Sequence, residues 1–104
     1  MLKFKYFMAI TTPKDGDAAL SIISGQGARG IMVMAGKGSA KHEVLDMLGF
    51  ENDKKQVVTG FISEENEAAL LNALYDGVLK KKGAGIAFTV GVQGFVGLRS
   101  VFVD

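Results

Sequence analysis

Two short glycine-rich segments hold the residues best suited to chemistry. Gly36-Lys37-Gly38-Ser39 follows the apolar run Ile31-Met32-Val33-Met34, and Gly83-Ala84-Gly85 precedes Ile86-Ala87-Phe88-Thr89-Val90. Glycine admits positive φ and lets another group approach the backbone N–H row. Two such turns meeting in space, beside Lys37 and a helix N-terminus, form a cradle for an anion. Gly36-Lys37-Gly38-Ser39 lacks the spacing of a Walker motif, and its other reading is a strand exit followed by a helix cap. The other reading of Gly83-Ala84-Gly85 is a helix stop followed by a strand start. Lys37 is the best single charge for an anion, although a solvated lysine is the commoner fate.

The remaining reactive side chains are few. Arg99 is the only arginine besides Arg29; it suits a bidentate grip on phosphate or carboxylate, or equally an ion pair. His42 is the sole histidine, with Glu43 adjacent. Consecutive helical residues diverge by about 100°, so these two do not chelate, and a metal needs further ligands. Cysteine is absent, which excludes disulfides, thiolate metal sites and cysteine nucleophiles. No nucleophile stands with a paired acid and base, so the expectation is a protein that is not an enzyme and needs no cofactor.

The chain has 104 residues, 48% of them apolar, which suits one folded domain over 1–104. Its net charge of +1, from 12 basic and 11 acidic residues, does not mark a nucleic-acid surface. Lys80-Lys81-Lys82 reads as a solvated helix end favoured by the helix dipole. The alternating N-terminus is a poor signal peptide, and no apolar run is long enough to span a membrane. The expected setting is the cytoplasm.

The elements that must position these residues follow from periodicity. Leu2, Phe4, Tyr6, Met8 and Ile10 recur at every second residue, the mark of a strand with one buried face, with Phe7 and Ala9 partly covered on the other. Thr11-Thr12-Pro13 ends it. A helix is expected over 14–26, with Ala18, Ala19, Ile22 and Ile23 as its apolar stripe and Gly25 and Gly27 as its stop. The second strand, 29–35, is nearly all apolar, as for a strand in the middle of a sheet. A short helix over 40–48 follows, capped by Ser39, with Val44, Leu45 and Leu48 on one face and Gly49 at its stop. The stretch Glu51-Asn52-Asp53-Lys54-Lys55 reads as a loop, and 56–62 as the third strand. Ser63 caps the longest helix, with Glu64, Glu65 and Glu67 in its first turn and Leu70, Leu71, Leu74 and Val78 as its stripe. The fourth strand is 86–90, and alternation over 98–103 suits a further edge strand.

This order is the split β-α-β plan: an α+β, ferredoxin-like β-α-β-β-α-β fold, with an antiparallel sheet and helices on one face. Its open face must be hydrated or covered. A second strand apolar on both faces argues for cover by other copies of the chain. Met32 and Met34 suit an adaptable interface or an ordinary core.

Several of these residues carry a resemblance. Gly36-Lys37-Gly38-Ser39-Ala40 after an apolar strand, then Leu48-Gly49-Phe50, Lys55-Gln56-Val57-Val58 and Gly83-Ala84-Gly85-Ile86-Ala87-Phe88-Thr89-Val90 together resemble the nitrogen-regulatory P-II and P-II-like signalling proteins. The resemblance implies a ferredoxin-like homotrimer that binds adenine nucleotides between subunits and controls a partner protein through a loop. It places the base of that loop at Gly36, Lys37, Gly38 and Ser39. It places the phosphate-side turn at Gly83, Ala84 and Gly85, with Ile86 directly after, and Arg99 in the segment that supplies arginines to phosphates.

The chain departs from the family pattern at three points. The short helix 40–48 replaces the long loop with its modifiable tyrosine. Ile86 stands where the family has a lysine soon after the second-turn glycines, and Ala40 where it has a loop-base glutamine. These departures argue against uridylylation and against ATP binding of the usual kind. The function implied is a sensor of a small effector, an adenine nucleotide first, that regulates a membrane transporter or metabolic enzyme. The alternatives are a structural or metal-tolerance-like trimer on the same fold, and a weak nucleotide hydrolase.

Overall fold

The computed structural model describes residues 3–37, 54–94 and 96. Strand β1 spans Phe4–Thr11, helix α1 Pro13–Gly25, strand β2 Arg29–Lys37 and strand β3 Lys54–Ser63. A 3-10 turn over Glu64–Asn66 leads into helix α2, Glu67–Leu74. A wider π turn over Tyr75–Leu79 continues α2, and strand β4 spans Gly85–Gly91. The sheet order is β2-β3-β1-β4, and every neighbouring pair is antiparallel. This is the expected ferredoxin-like α+β fold. The helix expected over 40–48 and the strand expected over 98–103 lie outside the described residues.

Register decides which side chains share a face, because directly opposed residues point the same way. Phe7 pairs with Gly60, and Ala9 with Val58. These residues face the helices and build the core with Ala19 and Ile23 of α1 and Leu70, Leu74 and Val78 of the second helical segment. The buried face of β1 is therefore the Phe7–Ala9 face, and the expectation that Phe4, Tyr6, Met8 and Ile10 form it is reversed. Both faces of β1 are apolar, so period-two alternation could not tell which one the helices cover.

Gly60 fits under Phe7 for a reason of space. A Cβ there would stand 3.0 Å from the Phe7 ring and 2.9 Å from the Arg29 carbonyl oxygen. The pairing of β2 with β3 also slips between Arg29 and Met32. A glycine at this point lets ring and neighbouring backbone close on the strand.

The helices differ in detail from their sequence reading. Gly16 is buried in α1 and Ala18 is exposed; the Gln56 side chain occupies the space that a Cβ on Gly16 would need. Ser63 stands at the cap position but makes no side-chain cap hydrogen bond. In the π turn the Lys80 N–H donates to the Tyr75 carbonyl at 2.8 Å. A turn one residue wider than α rotates the chain back, and Val78 joins Leu70 and Leu74 in the core.

Among the described strands β2 lies at the edge of the sheet, where a central place was expected. Its apolar run is nonetheless real: Met32, Val33 and Met34 are 60%, 48% and 41% exposed. A continuous apolar run normally signals burial on both faces. Here the helices pack over β1, β3 and β4, and the cover for β2 is not supplied by the described part of the same chain. Lys54 and Lys55, expected in a loop, are the first residues of β3. Truncating Phe7 to Ala empties the centre of the core and is expected to cost about 3–5 kcal/mol in denaturant unfolding; a loss below about 1 kcal/mol would contradict this packing.

Candidate functional site

Gly36 and Lys37 of the first glycine segment and the Gly83–Gly85 turn lie at one end of the sheet, on opposite edges among the described strands. Ala35, Gln56, Thr11 and Gly85 form a single cross-strand row over the four strands. Gly36 lies one residue beyond Ala35, and Gly83-Ala84 lead directly into Gly85. Three strand spacings of about 4.8 Å separate the segments by roughly 14 Å. Among the described residues, one protomer does not bring Gly36 and Lys37 against Gly83 and Gly85.

Gly36 and Lys37 are strand residues, paired with Lys55 and Lys54, where a turn was expected. Gly38, Ser39 and Arg99 lie outside the described residues. Lys55, the neighbour of Lys54 on β3, is buried and lies on the other face of the sheet.

Gly83 has φ +78°, a left-handed conformation that favours glycine. Gly85 has φ +141°, and a Cβ there would overlap the Ile10 carbonyl oxygen. The turn thus lies directly on the last residues of β1. Ala84 is buried between its neighbours, and both its backbone groups are used. Its N–H donates to the Lys81 carbonyl at 3.2 Å, and its carbonyl accepts from the Thr12 N–H at 3.4 Å. Any amide offered to an anion at this turn belongs to another residue than Ala84. Ile86 opposes Ile10 within the sheet and presents an apolar side chain on the open face.

Three polar residues missed in the sequence frame this turn. Asp15 accepts from the Lys81 ammonium on Oδ1 at 3.0 Å and from the Thr12 hydroxyl on Oδ2 at 3.2 Å. Its own N–H donates to the Thr12 carbonyl at 3.1 Å. The hydrogen bond from Lys81 is the largest cause holding the Asp15 carboxyl below its ordinary value, with burial opposing it and Lys14 adding a smaller attraction. The Thr12-Pro13-Lys14-Asp15 spacing is the legible signal, since Thr at a helix cap with an acidic residue three positions on marks a helix start, and Pro suits the first position. Nothing near Lys81 in the sequence names Asp15 as its partner.

The opposite face of the sheet is a second feature with chemical content. Met34, Val57, Ile10 and Ile86 form one row across it, and Met32, Thr59, Met8 and Phe88 form the next. Beyond them the Tyr6 and Phe61 rings meet edge to face, 5.5 Å between centroids. The two helices lie on the other side. No group of three metal-ligating side chains comes together among the described residues, and no helix among them is long and apolar enough to cross a membrane.

No family model and no curated protein sequence matches the chain. Solved structures match over nearly its whole length. CPII from Thiomonas intermedia K12, bound to ADP, AMP and acetate, superposes with a TM-score of 0.70 at 17% identity, covering 95% of this chain and 96% of that one. A functionally unknown protein from Pediococcus pentosaceus ATCC 25745 has a TM-score of 0.68 at 16% identity, covering 92% and 98%. A putative PII-like signalling protein from Thermus thermophilus has a TM-score of 0.65 at 15% identity, covering 88% and 87%. The fold is that of PII-like signalling proteins.

Two outcomes check this geometry. Gly85→Ala is expected to lower stability by about 3 kcal/mol in thermal or denaturant unfolding, because the backbone conformation and the Ile10 carbonyl both oppose a side chain. Asp15 titrates below its ordinary value of 3.8. Its stabilising contribution is therefore complete above that pH and disappears as pH falls through the lowered value. An NMR titration of the carboxyl should show this, and Lys81→Met should move the midpoint back up towards 3.8.

Proposed function

We propose that this chain is a cytoplasmic PII-like signalling protein, a single domain over 1–104 that works as a non-enzymatic homotrimer. It takes a small effector in the clefts between subunits, an adenine nucleotide first, and regulates a transporter or metabolic enzyme in nitrogen or related metabolism. Gly36, Lys37, Gly38 and Ser39 of one protomer form one wall of the cleft. Gly83, Ala84, Gly85 and Ile86 of the next form the other, and Arg99 adds a cation for phosphate. Within this wall Ala84 contributes packing, since its amide is taken.

The observation that supports this reading most is the placement of Gly36-Lys37 and Gly83–Gly85 at one end of the described sheet but on opposite edges. Such segments meet only when a second protomer brings its β4 edge towards the first protomer's β2 edge. The apolar face, with exposed Met32 and Met34 of β2 and Phe88 and Val90 of β4, supplies the driving force for that association. The structural relative solved with ADP and AMP supports the nucleotide class. The same protein solved with ADP, AMP and bicarbonate adds a small oxyanion as co-effector.

Signalling follows from differential contact. An effector that touches the base of the 36–55 segment favours whichever arrangement of that segment gives it more contacts, and the partner reads the shift. Isothermal titration with ATP, ADP, AMP, cyclic nucleotides and bicarbonate is expected to show saturable binding of at least one nucleotide, weakened at least tenfold by Arg99→Ala. Light scattering should give a trimer, and Met34→Glu should dissociate it by placing a charge in the apolar contact. Silence across the whole titration panel, or a monomer at micromolar concentration, would sink the proposal.

A further inference from the structure

The second glycine turn is tied into a closed ring of hydrogen bonds that the site itself does not use. The Thr12 N–H reaches the Ala84 carbonyl, and the Ala84 N–H reaches the Lys81 carbonyl. The Lys81 ammonium reaches Asp15, and the Thr12 hydroxyl returns to Asp15. The ring joins the end of β1, the first turn of α1, the segment after the π turn and the site turn. Asp15 is the single residue that receives from both flanks, one carboxylate oxygen to each.

We propose that Asp15 is the positioning residue of the Gly83–Gly85 turn: it clamps Lys81 to the start of α1, so that the affinity of an anionic ligand at the turn depends on a carboxylate that does not touch the ligand. This rests on the reading of that turn as a ligand site. The carboxylate also neutralises the Lys81 ammonium and the dipole of the α1 N-terminus. The turn then contributes shape to the site, not positive charge. Without Asp15 the Lys81 side chain is released, the 81–84 hydrogen bond loosens, and the turn samples conformations in which it no longer lies on Ile10.

Amide exchange separates the clamp from the ligand. In ligand-free protein the Ala84 and Thr12 N–H groups report the two backbone links directly. Asp15→Asn and Lys81→Met are each expected to lower their protection about fivefold, the scale of a partly exposed ion pair, while amides of the Phe7 core stay unchanged. The charge reversal Asp15→Lys with Lys81→Asp restores protection if the pair is what holds the turn. ADP titration of the same variants should show affinity falling in step with Ala84 protection and recovering in the reversed pair.

Unchanged Ala84 protection in both single variants overturns the clamp. Reduced protection with undiminished ADP affinity overturns the link to the ligand. Protection that responds as expected in a wild-type protein that binds no nucleotide sinks the sensor reading and the ligand half of this proposal, and leaves the clamp standing. Should Asp15→Asn fail to fold, Lys81→Met at the exposed end of the pair carries the same comparison.

Discussion

Two helices can cover only one face of a four-stranded sheet, and this chain makes both faces apolar. Everything else follows from that mismatch. Phe7, Ala9, Val58 and Ile62 are sealed under the helices, whereas Met8, Ile10, Val57 and Ile86 lie on the other side in matched rows. A polar open face would make the protomer self-sufficient. An apolar one makes solvent an unfavourable neighbour over a broad area.

The order of elements was legible in the sequence because each has its own period. Alternation marked β1 and β3, helical spacing marked α1 and the second helical segment, and glycines marked the boundaries. The sidedness of β1 was not legible. Tyr6 and Met8 are as hydrophobic as Phe7 and Ala9, and only the helices' position distinguishes them. The same ambiguity misplaced β2, since a run apolar on both faces reads the same at the edge of a sheet as in its middle. Boundaries shifted at Gly36-Lys37 and Lys54-Lys55, where glycine and charge suggested a loop. Ladder pairing prevailed there over local propensity.

The candidate site was legible as two segments but not as an arrangement. Glycine at positions 83 and 85 signals backbone freedom, and both adopt positive φ. The consumption of both Ala84 backbone groups could not be read from spacing, because its partners lie on separate elements. Asp15 was hidden for a related reason. Its role depends on Lys81, which is 66 residues distant, and surface lysines at a helix end look alike until a carboxylate is found opposite one of them. Long-range polar pairing leaves no periodic trace in a single chain.

The π turn after α2 has a consequence for how this region accommodates change in chain length. An extra residue in an ordinary helix swings every later side chain through about 100°, which would tear Val78 from the core and Lys81 from Asp15 together. A turn that already spans five residues per hydrogen bond has absorbed such an increment locally. Removing one residue within Tyr75–Leu79 would convert it to plain α-helix and leave both flanks in phase. A one-residue deletion that would be ruinous a turn earlier finds here a natural point of slack.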